Sequence, residues 1–175
     1  DRFWATAMPV WKGEKTGAIK VFGSYDELEK YSGKRLNDYH RPWVDEVEFD
    51  GIIAGTEILT EKEWDERVVE AEKTGADLSP AVKDHFRRIE KVLDCWFESG
   101  SMPFAQLHYP FENKEKFERN YPADFIVEYV GQVRAWFYYV HCVNTALAEV
   151  GGFGKVAQER TEKNAFKNVI TTGTL

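Results

Sequence analysis

The stretch YPADFIVEYVGQVRAWF, residues 121–137, decides the fold class that we expect for this chain. A short apolar run at residues 125–127 ends in Glu128 and is followed by a helix-period pattern, which predicts a strand, a turn and a helix. In open α/β sheets, ligands bind outside the carboxyl ends of parallel strands, where helix N-termini present amide donors. We therefore expect a ligand to bind at residues 128–132.

A second informative stretch is DCWFESGSMPFAQ, residues 94–106, which combines aromatic residues, an acid, a Ser-Gly-Ser run and a proline. This composition predicts a segment that shapes a pocket rather than one that continues a regular element. Together the two stretches supply four binding candidates: Trp96, Glu128, Gln132 and Trp136. A carboxylate and an amide can bind hydroxyl and ammonium groups, and indoles can keep water from an apolar side chain. Composition alone is equally compatible with tryptophans that only fill a core.

Length and composition exclude several classes of protein. The chain has 175 residues, of which 43% are hydrophobic and 30% charged, and this predicts a globular domain carrying a smaller insertion. A net charge of -7 argues against a broad basic face for nucleic acid. Two cysteines are too few for a disulfide framework, and no apolar run approaches the length of a membrane helix. We therefore expect a cytoplasmic protein without membrane or DNA partners.

The first ninety residues predict strands, helices and one turn. Residues 17–22 alternate as a short strand, and Ser24 with Glu27 predicts a capping box for a helix that Gly33 closes. Residues 40–49, HRPWVDEVEF, predict a proline turn that leads into a strand. The alternating apolar positions of that strand are Val44, Val47 and Phe49.

Residues 60–91 predict a helical hairpin on the protein surface. Thr60 and Glu63 form a second capping box, Gly75 is a plausible stop, and Ser79 precedes a proline at the first position of a second helix. Four apolar residues recur at helical spacing along this second helix: Val82, Phe86, Ile89 and Leu93. The hairpin contains nothing that resembles a site and is most economically an insertion.

The last third of the chain predicts a long helix, a glycine joint and a further strand. Residues 130–147 place apolar side chains on one helical face, and residues 169–171 predict the strand. The apolar face comprises Val130, Val133, Phe137, Val140 and Leu147, together with Asn144. Three glycines, Gly151, Gly152 and Gly154, predict the joint.

Residue spacing alone indicates neither a phosphate loop nor a metal site. No glycine-rich run has Rossmann or Walker spacing. The four histidines share no metal-ligand spacing with one another or with the cysteines: His40, His85, His108 and His141. We assign no catalytic residue and no metal ligand.

Five segments, in order along the chain, resemble the isoleucyl-tRNA synthetases, class I enzymes that join isoleucine to its tRNA through an aminoacyl-adenylate. The related valyl enzymes share the order, but their tryptophan loop differs from SGSMPFAQ, which favours isoleucine. The five segments are DRFWATAMPVW, HRPWVDEVEF, LDCWFESGSMPFAQLHYPFEN, PADFIVEYVGQVRAWFY and FKNVITTGTL.

The resemblance implies an α/β fold class, namely the C-terminal half of a Rossmann-like class I synthetase catalytic domain with a small α+β or helical insertion. Residues 1–16 would re-enter the catalytic domain, residues 17–92 would form the connective insertion, and residues 93–175 would complete the Rossmann-like half. Many relatives carry cysteine pairs where this chain has WKGEKTG and the helical insertion. No zinc is expected, and extra helix packing would replace it.

The resemblance also assigns roles to individual residues. Trp96 and Trp136 would line the isoleucine pocket. Glu128 and Gln132 would contact the adenylate and the substrate, and Gly173 would lie beside the adenine. The nucleotide-binding set is Glu128, Tyr129, Gly131, Gln132 and Gly173. Tyr129 stands where the family has glycine, and Gly131 where it has the aspartate expected to accept a ribose hydroxyl. Our hypothesis is that Glu128 or the Tyr129 hydroxyl binds the sugar instead.

The function implied is that of a ligase in protein biosynthesis, with ATP and magnesium, isoleucine and isoleucine tRNA as substrates and the rest of the synthetase chain in cis. The HIGH and KMSKS motifs are missing from this sequence, so the chain alone is predicted to form no adenylate. Two alternatives remain: a free-standing, non-catalytic synthetase-like binding module, and part of a valyl or leucyl enzyme.

Overall fold

The computed structural model describes residues 5–154, 157, 159 and 163–173. The chain divides into two compact units, Asp1–Leu93 and Asp94–Leu175, which we call the first unit and the second unit. None of the helices in the described ranges is both long and apolar enough to span a membrane. The first four residues of the predicted re-entry segment, 1–16, lie outside the described residues.

The described part of the first unit is built on a five-stranded antiparallel sheet with strand order β2-β1-β5-β3-β4. The predicted strand within residues 17–22 is confirmed as β2. The strands are β1 (Val10–Gly13), β2 (Ile19–Val21), β3 (Phe49–Ala54), β4 (Glu57–Leu59) and β5 (Ala81–Arg88).

Two helices with the predicted caps accompany this sheet, α1 (Tyr25–Ser32) and α2 (Glu61–Thr74). The Ser24 hydroxyl accepts the Glu27 N–H, whereas the Glu27 carboxylate accepts from Gly23 rather than completing the box. Thr60 and Glu63 form the full reciprocal capping box. Both helices end in a left-handed glycine, Gly33 and Gly75, as predicted.

The predicted second helix of the hairpin is wrong, because residues 81–88 form β5, the central strand of the sheet. The buried side chains of this strand are Asp84, Phe86 and Arg88, at every second position. Two of these three are charged, so the alternation of buried and exposed positions is hidden from an analysis based on apolar residues. Residues 81–88 therefore belong to the sheet of the first unit and not to a helical hairpin.

The predicted strand in HRPWVDEVEF begins later than expected. Trp43–Glu46 form a 3-10 helix, and β3 starts only at Phe49. Val44 and Val47 are buried nevertheless, and the Trp11 indole donates to the Val47 carbonyl at 2.6 Å. The apolar spacing therefore reported burial correctly but not the secondary structure.

In the described part of the second unit, three helices accompany a parallel pair of strands. The predicted strands at 125–127 and 169–171 are confirmed as β6 (Ile126–Tyr129) and β7 (Val169–Thr172). The helices are α3 (Cys95–Ala105), α4 (Lys114–Asn120) and α5 (Trp136–Glu149). Of the predicted joint, Gly151 and Gly154 have positive φ.

Residues 94–106 are helical, which corrects the prediction of an irregular pocket-shaping run. The Asp94 carboxylate caps α3 by accepting the Trp96 N–H at 2.7 Å. The Ser101 hydroxyl donates to the Phe97 carbonyl at 2.7 Å, within the helix. The small polar residues are thus accommodated inside a helix rather than in a turn.

The helix predicted at 130–147 is interrupted. Val130–Arg134 form a 3-10 helix, Ala135 leaves helical geometry at φ -131 and ψ -110, and α5 begins at Trp136. Because of this break, Val130 and Val133 are exposed, while Phe137, Val140 and Asn144 are buried. Only the second half of the predicted apolar face packs into the unit.

Helices α3 and α5 approach each other closely at Gly100. A Cβ atom at this position would lie 2.8 Å from the Tyr139 carbonyl oxygen, so a side chain does not fit. The fully buried Asn144 amide donates to the carbonyls of Gly100 and Val140, at 2.8 Å each. This contact sets the positions of the first turns of both helices.

Candidate functional site

Both predicted tryptophans lie on the contact between α3 and α5. Trp96, in the first turn of α3, stacks on Tyr139 of α5 with ring centroids 5.5 Å apart and planes 13° apart. Trp136, the first residue of α5, donates its indole N–H to the Ser99 carbonyl at 3.4 Å. Trp96 remains 37% exposed, so its indole can still contact a ligand.

Gln132 is linked to one of these tryptophans. Its side-chain carbonyl accepts the Trp136 backbone N–H at 2.9 Å, which supplies the first turn of α5 with an acceptor. No hydrogen bond joins its amide nitrogen to another described residue. The Gln132 side chain therefore supports α5 with its oxygen and keeps two N–H donors for a ligand.

The other candidates lie at the carboxyl ends of the two parallel strands. Glu128 and Tyr129 are the last residues of β6, Thr172 is the register partner of Tyr129, and Gly173 follows Thr172 directly. A Cβ atom on Gly173 would have no neighbour within 4 Å, so the space beside it is open. Glu128 and Tyr129 thus lie at the end of β6, and Gly173 follows the end of β7.

The Tyr129 side chain occupies the space that a side chain at position 131 would need. A Cβ atom on Gly131 would overlap the Cε2, Cζ and Oη atoms of Tyr129, because the phenol ring folds back over the glycine. The Glu128 carboxylate accepts the Tyr129 backbone N–H at 2.9 Å. The tyrosine at 129 and the glycine at 131, the two departures from the family pattern, are therefore related in space: the first fills the volume that the second leaves open.

A cavity of about 530 Å³ lies in the second unit, mainly among apolar side chains. Trp136 lines this cavity, whereas Trp96, Glu128 and Gln132 do not. Other lining residues are Met102, Gln106, Phe117, Tyr121, Phe125 and Phe166. The structure therefore groups the predicted residues into an indole and amide set around the contact between α3 and α5 and a set at the strand ends.

Sequence reasoning missed two residues of the indole set, Tyr139 and Ser99. Tyr139 follows Trp136 by three residues and so lies near it on one face of a helix, which was a usable signal. The Ser99 carbonyl had no such signal, because its role depends on α3 being helical and packed on α5.

The first unit holds a buried polar cluster around Asp84. This carboxylate is 1% exposed and accepts from the Thr16 hydroxyl at 2.6 Å and from the Thr16 and Lys15 N–H groups at 2.9 and 3.1 Å. Burial opposes ionisation, but these bonds and one from His85 outweigh it and lower the pKa of Asp84 from 3.8 to about 2. The turn in WKGEKTG is thus held by a carboxylate from a strand, which corrects the prediction of helix packing there.

His85, beside Asp84 on β5, lies between two further carboxylates. It contacts Asp50 at 2.8 Å and Glu48 at 3.1 Å. The hydrogen bond to Asp50 is the main cause of a raised pKa for His85. Across the described residues, no group of three or more His, Cys, Asp and Glu side chains is placed to hold a metal ion.

The family model for the class I tRNA synthetases (I, L, M and V) matches residues 1–174, and the chain therefore belongs to this family. Its mixed α/β content fits a class I synthetase domain. Within the family, the chain is similar to isoleucine–tRNA ligases.

The isoleucine–tRNA ligase of Rickettsia canadensis (strain McKiel) is 48% identical over 149 residues, which cover 84% of this chain and 12% of that protein. The isoleucine–tRNA ligase of Bifidobacterium longum (strain NCC 2705) is 42% identical over 181 residues, or 99% of this chain and 13% of that protein. The resemblance found in the sequence is thereby confirmed. The chain spans about an eighth of the length of these relatives.

Proposed function

We propose that this chain is the part of an isoleucine–tRNA ligase that holds isoleucine and the adenylate, in the C-terminal half of a Rossmann-like catalytic domain. The whole protein would form isoleucyl-adenylate from isoleucine and ATP, taken as its magnesium complex, and transfer the isoleucyl group to isoleucine tRNA in the cytoplasm. The identity of 48% to an isoleucine–tRNA ligase supports the choice of amino acid.

The observation that carries the proposal is the parallel pairing of β6 with β7. The register of Tyr129 with Thr172 brings Glu128 and Gly173 to the same edge of the sheet. Carboxyl ends of parallel strands are where open α/β sheets bind nucleotides. A carboxylate on rigid backbone can accept hydrogen bonds from the hydroxyls of a sugar, and an open glycine lets a flat base approach the backbone closely.

The two indoles support the amino-acid part of the proposal. Trp96 and Trp136 flank the contact between α3 and α5, and the free amide N–H groups of Gln132 begin one turn before Trp136. Apolar pockets with a few polar groups are the usual form of a small-molecule site, and a branched aliphatic side chain binds best against dry aromatic walls. These residues bind and orient the substrate.

The chemical step needs groups that the described residues do not provide. Charge develops on the α-phosphate when the carboxylate of isoleucine attacks ATP, and preorganised donors usually supply the largest part of such stabilisation. In this proposal those donors, and the surface that binds tRNA, come from the rest of the protein in cis. The net charge of -7 fits a chain that leaves phosphate contacts to other parts.

Amino-acid-dependent exchange between ATP and pyrophosphate in the full-length protein tests the proposal. We expect isoleucine to stimulate exchange far more than valine, leucine or methionine. Stronger stimulation by valine or leucine than by isoleucine would contradict the choice of isoleucine, and no exchange with any amino acid would favour the non-catalytic module.

Variants of the full-length protein test the indole set in the same assay. Trp96→Ala and Trp136→Phe should raise the KM for isoleucine by about tenfold or more, in line with the loss of about 1.4 kcal/mol of binding. The KM for ATP should change little. Trp43→Ala, which removes a tryptophan that is 54% exposed in the first unit, is the matched control. Equal effects of all three substitutions would argue against the assigned pocket.

A further inference from the structure

The side chain of Tyr129 lies over the backbone at Gly131. It is the last residue of β6, and its ring folds back across the turn so that its Cζ and Oη atoms occupy the space of a side chain at position 131. Gly131 does not have a positive φ, so the backbone does not require glycine there. The absence of a side chain at 131 therefore serves to make room for the ring.

The two candidates for binding the sugar differ in the hydrogen bonds that the protein itself makes to them. The Glu128 carboxylate already accepts the backbone N–H of Tyr129 at 2.9 Å. The Tyr129 hydroxyl, by contrast, has no hydrogen-bond partner among the described residues, and the side chain is 45% exposed. A phenol can both donate to and accept from a ribose hydroxyl. The hydroxyl therefore has its full hydrogen-bonding capacity available for a ligand.

We propose that the Tyr129 hydroxyl binds the ribose of the adenosine nucleotide and that Gly131 is its necessary companion. This inference rests on the proposed function for the presence of a nucleotide, but not for the identity of the amino acid. Tyr129 is the register partner of Thr172, and the open position at Gly173 follows Thr172 directly. In a nucleoside bound at the carboxyl ends of β6 and β7, the ribose would form a hydrogen bond with the Tyr129 hydroxyl.

A side chain at position 131 would require the Tyr129 ring to leave the place that it occupies in the structure. A side chain at 131 and a phenol folded over 131 cannot both be present, because their atoms would occupy the same volume. Glycine at 129 with aspartate at 131 and tyrosine at 129 with glycine at 131 are then two solutions for one polar group in one place. Restoring aspartate at 131 alone would displace the phenol rather than add to it.

Binding of ATP to the full-length protein, measured by isothermal titration calorimetry, tests the role of the hydroxyl. Tyr129→Phe keeps the ring and its packing on Gly131 but removes one hydrogen bond, so affinity for ATP should fall about three- to tenfold. For one of the two analogues, 2′-deoxyATP or 3′-deoxyATP, Tyr129→Phe should not lower the affinity. The analogue that behaves in this way lacks the hydroxyl that Tyr129 binds. Tyr25→Phe removes another exposed phenol, in the first unit, and should change nothing.

A double-mutant cycle tests the role of Gly131 in the same assay. Gly131→Ala leaves the Tyr129 hydroxyl intact but pushes the ring aside, so it should weaken ATP binding as much as Tyr129→Phe does. Combined with Tyr129→Phe, it should add little, because the bond is already lost. The exchange Tyr129→Gly with Gly131→Asp should restore ATP affinity, whereas Gly131→Asp alone should not.

The outcomes separate this inference from the proposed function. If wild-type protein binds ATP and Tyr129→Phe shows unchanged affinity and unchanged preference for ATP over both deoxy nucleotides, the inference is wrong, whatever amino acid the enzyme uses. Failure of the wild type to bind ATP also overturns it. If ATP binding depends on Tyr129 as expected but valine or leucine stimulates exchange more strongly than isoleucine, the inference stands and only the choice of isoleucine fails.

Discussion

A single buried carboxylate organises the turn between β1 and β2. Asp84 projects from β5 under residues 14–17, where it accepts three bonds from Lys15 and Thr16. A Cβ atom on Gly13 would overlap the Asp84 carboxylate, so glycine is required there by space rather than by φ. One charged residue thus determines what its neighbours in space can be.

We predict that Asp84→Asn destabilises the first unit by about 1 to 3 kcal/mol, because an amide nitrogen would face the N–H and O–H donors of the turn. Urea denaturation of the 175-residue chain measures the difference. Asp65→Asn, at an exposed position on α2, is the control. Equal midpoints for Asp84→Asn and wild type would show that the turn does not depend on the carboxylate.

The same residue predicts a pH dependence. The pKa of Asp84 is lowered from 3.8 to about 2 in the folded protein, so the carboxylate contributes stability that is complete above about pH 4 and lost as the pH falls towards 2. The stability difference between wild type and Asp84→Asn should therefore be constant from about pH 7 to about pH 5 and shrink below about pH 4. A difference that grows on acidification would contradict this sign.

At the scale of elements, the contact between α3 and α5 positions both indoles. The approach depends on Gly100, where a Cβ atom would meet the Tyr139 carbonyl oxygen at 2.8 Å. Tyr139 also stacks on Trp96, and Asn144 bonds Gly100 from the other helix. A change at one small residue is therefore transmitted to the candidate pocket without touching a ligand.

We predict that Gly100→Ala separates the two helices and destabilises the chain by about 1 to 3 kcal/mol. In the full-length protein it should raise the KM for isoleucine, because the indoles move with their helices. Gly23→Ala is the matched control, since a Cβ atom there has no neighbour within 4 Å and the φ of Gly23 is not positive. Wild-type stability and KM for Gly100→Ala would refute the role of the close contact.

Local sequence patterns predicted some of the helices and strands but not all of them. The caps at Ser24 and Thr60 and the closing glycines were predictable because they depend on bonds between residues a few positions apart. Strand β5 was not predictable, because its buried Asp84 and Arg88 satisfy their charges with groups from distant segments, Thr16 and Asp45 among them. A polar residue that is paired by tertiary structure looks exposed in the sequence.

At the scale of the molecule, the parallel pair β6 and β7 is unusually open. Parallel sheets are normally covered on both faces, yet Val127, Val169 and Ile170 are each more than 40% exposed. Open strand edges with apolar side chains favour pairing with further chain. In the proposed function, other segments of the synthetase cover this surface.

We predict that the isolated 175-residue chain self-associates through this surface. Sedimentation velocity at increasing concentration should show a growing fraction of dimers or larger species, and Val127→Lys should reduce it by placing a charge on the exposed face. Val150→Lys, at a residue that is 79% exposed beyond the end of α5, should leave association unchanged. A wild-type chain that stays monomeric throughout would contradict the prediction.

We also predict that the 175-residue chain alone forms no adenylate. It has no HIGH or KMSKS motif and offers no assigned group for the charge that develops on the α-phosphate. Exchange of pyrophosphate with isoleucine and ATP should remain at background for this chain and appear with the full-length protein. Exchange above background with the chain alone would require a catalytic group that we have not assigned.

The candidate site was predictable in its strand-end part and less so in its helical part. Glu128, Tyr129 and Gly173 follow short apolar runs, and strands of that kind end where such runs end. The indole set depends on the packing of α3 against α5, and the Ser-Gly-Ser run in α3 does not predict a helix. Of the four binding candidates, Trp136 lines the cavity described above, and the common hollow and the roles of all four residues stay predictions.

The sequence by itself determined the family, the helix caps and the strands at 125–127 and 169–171, because motifs, caps and short apolar runs are local properties of the chain. Only the tertiary structure decided that residues 81–88 form a central strand and that the ring of Tyr129 occupies the space over Gly131. Both depend on which distant or neighbouring atoms fill a given volume. Packing and charge pairing in three dimensions settle this, since residue type and spacing leave it open.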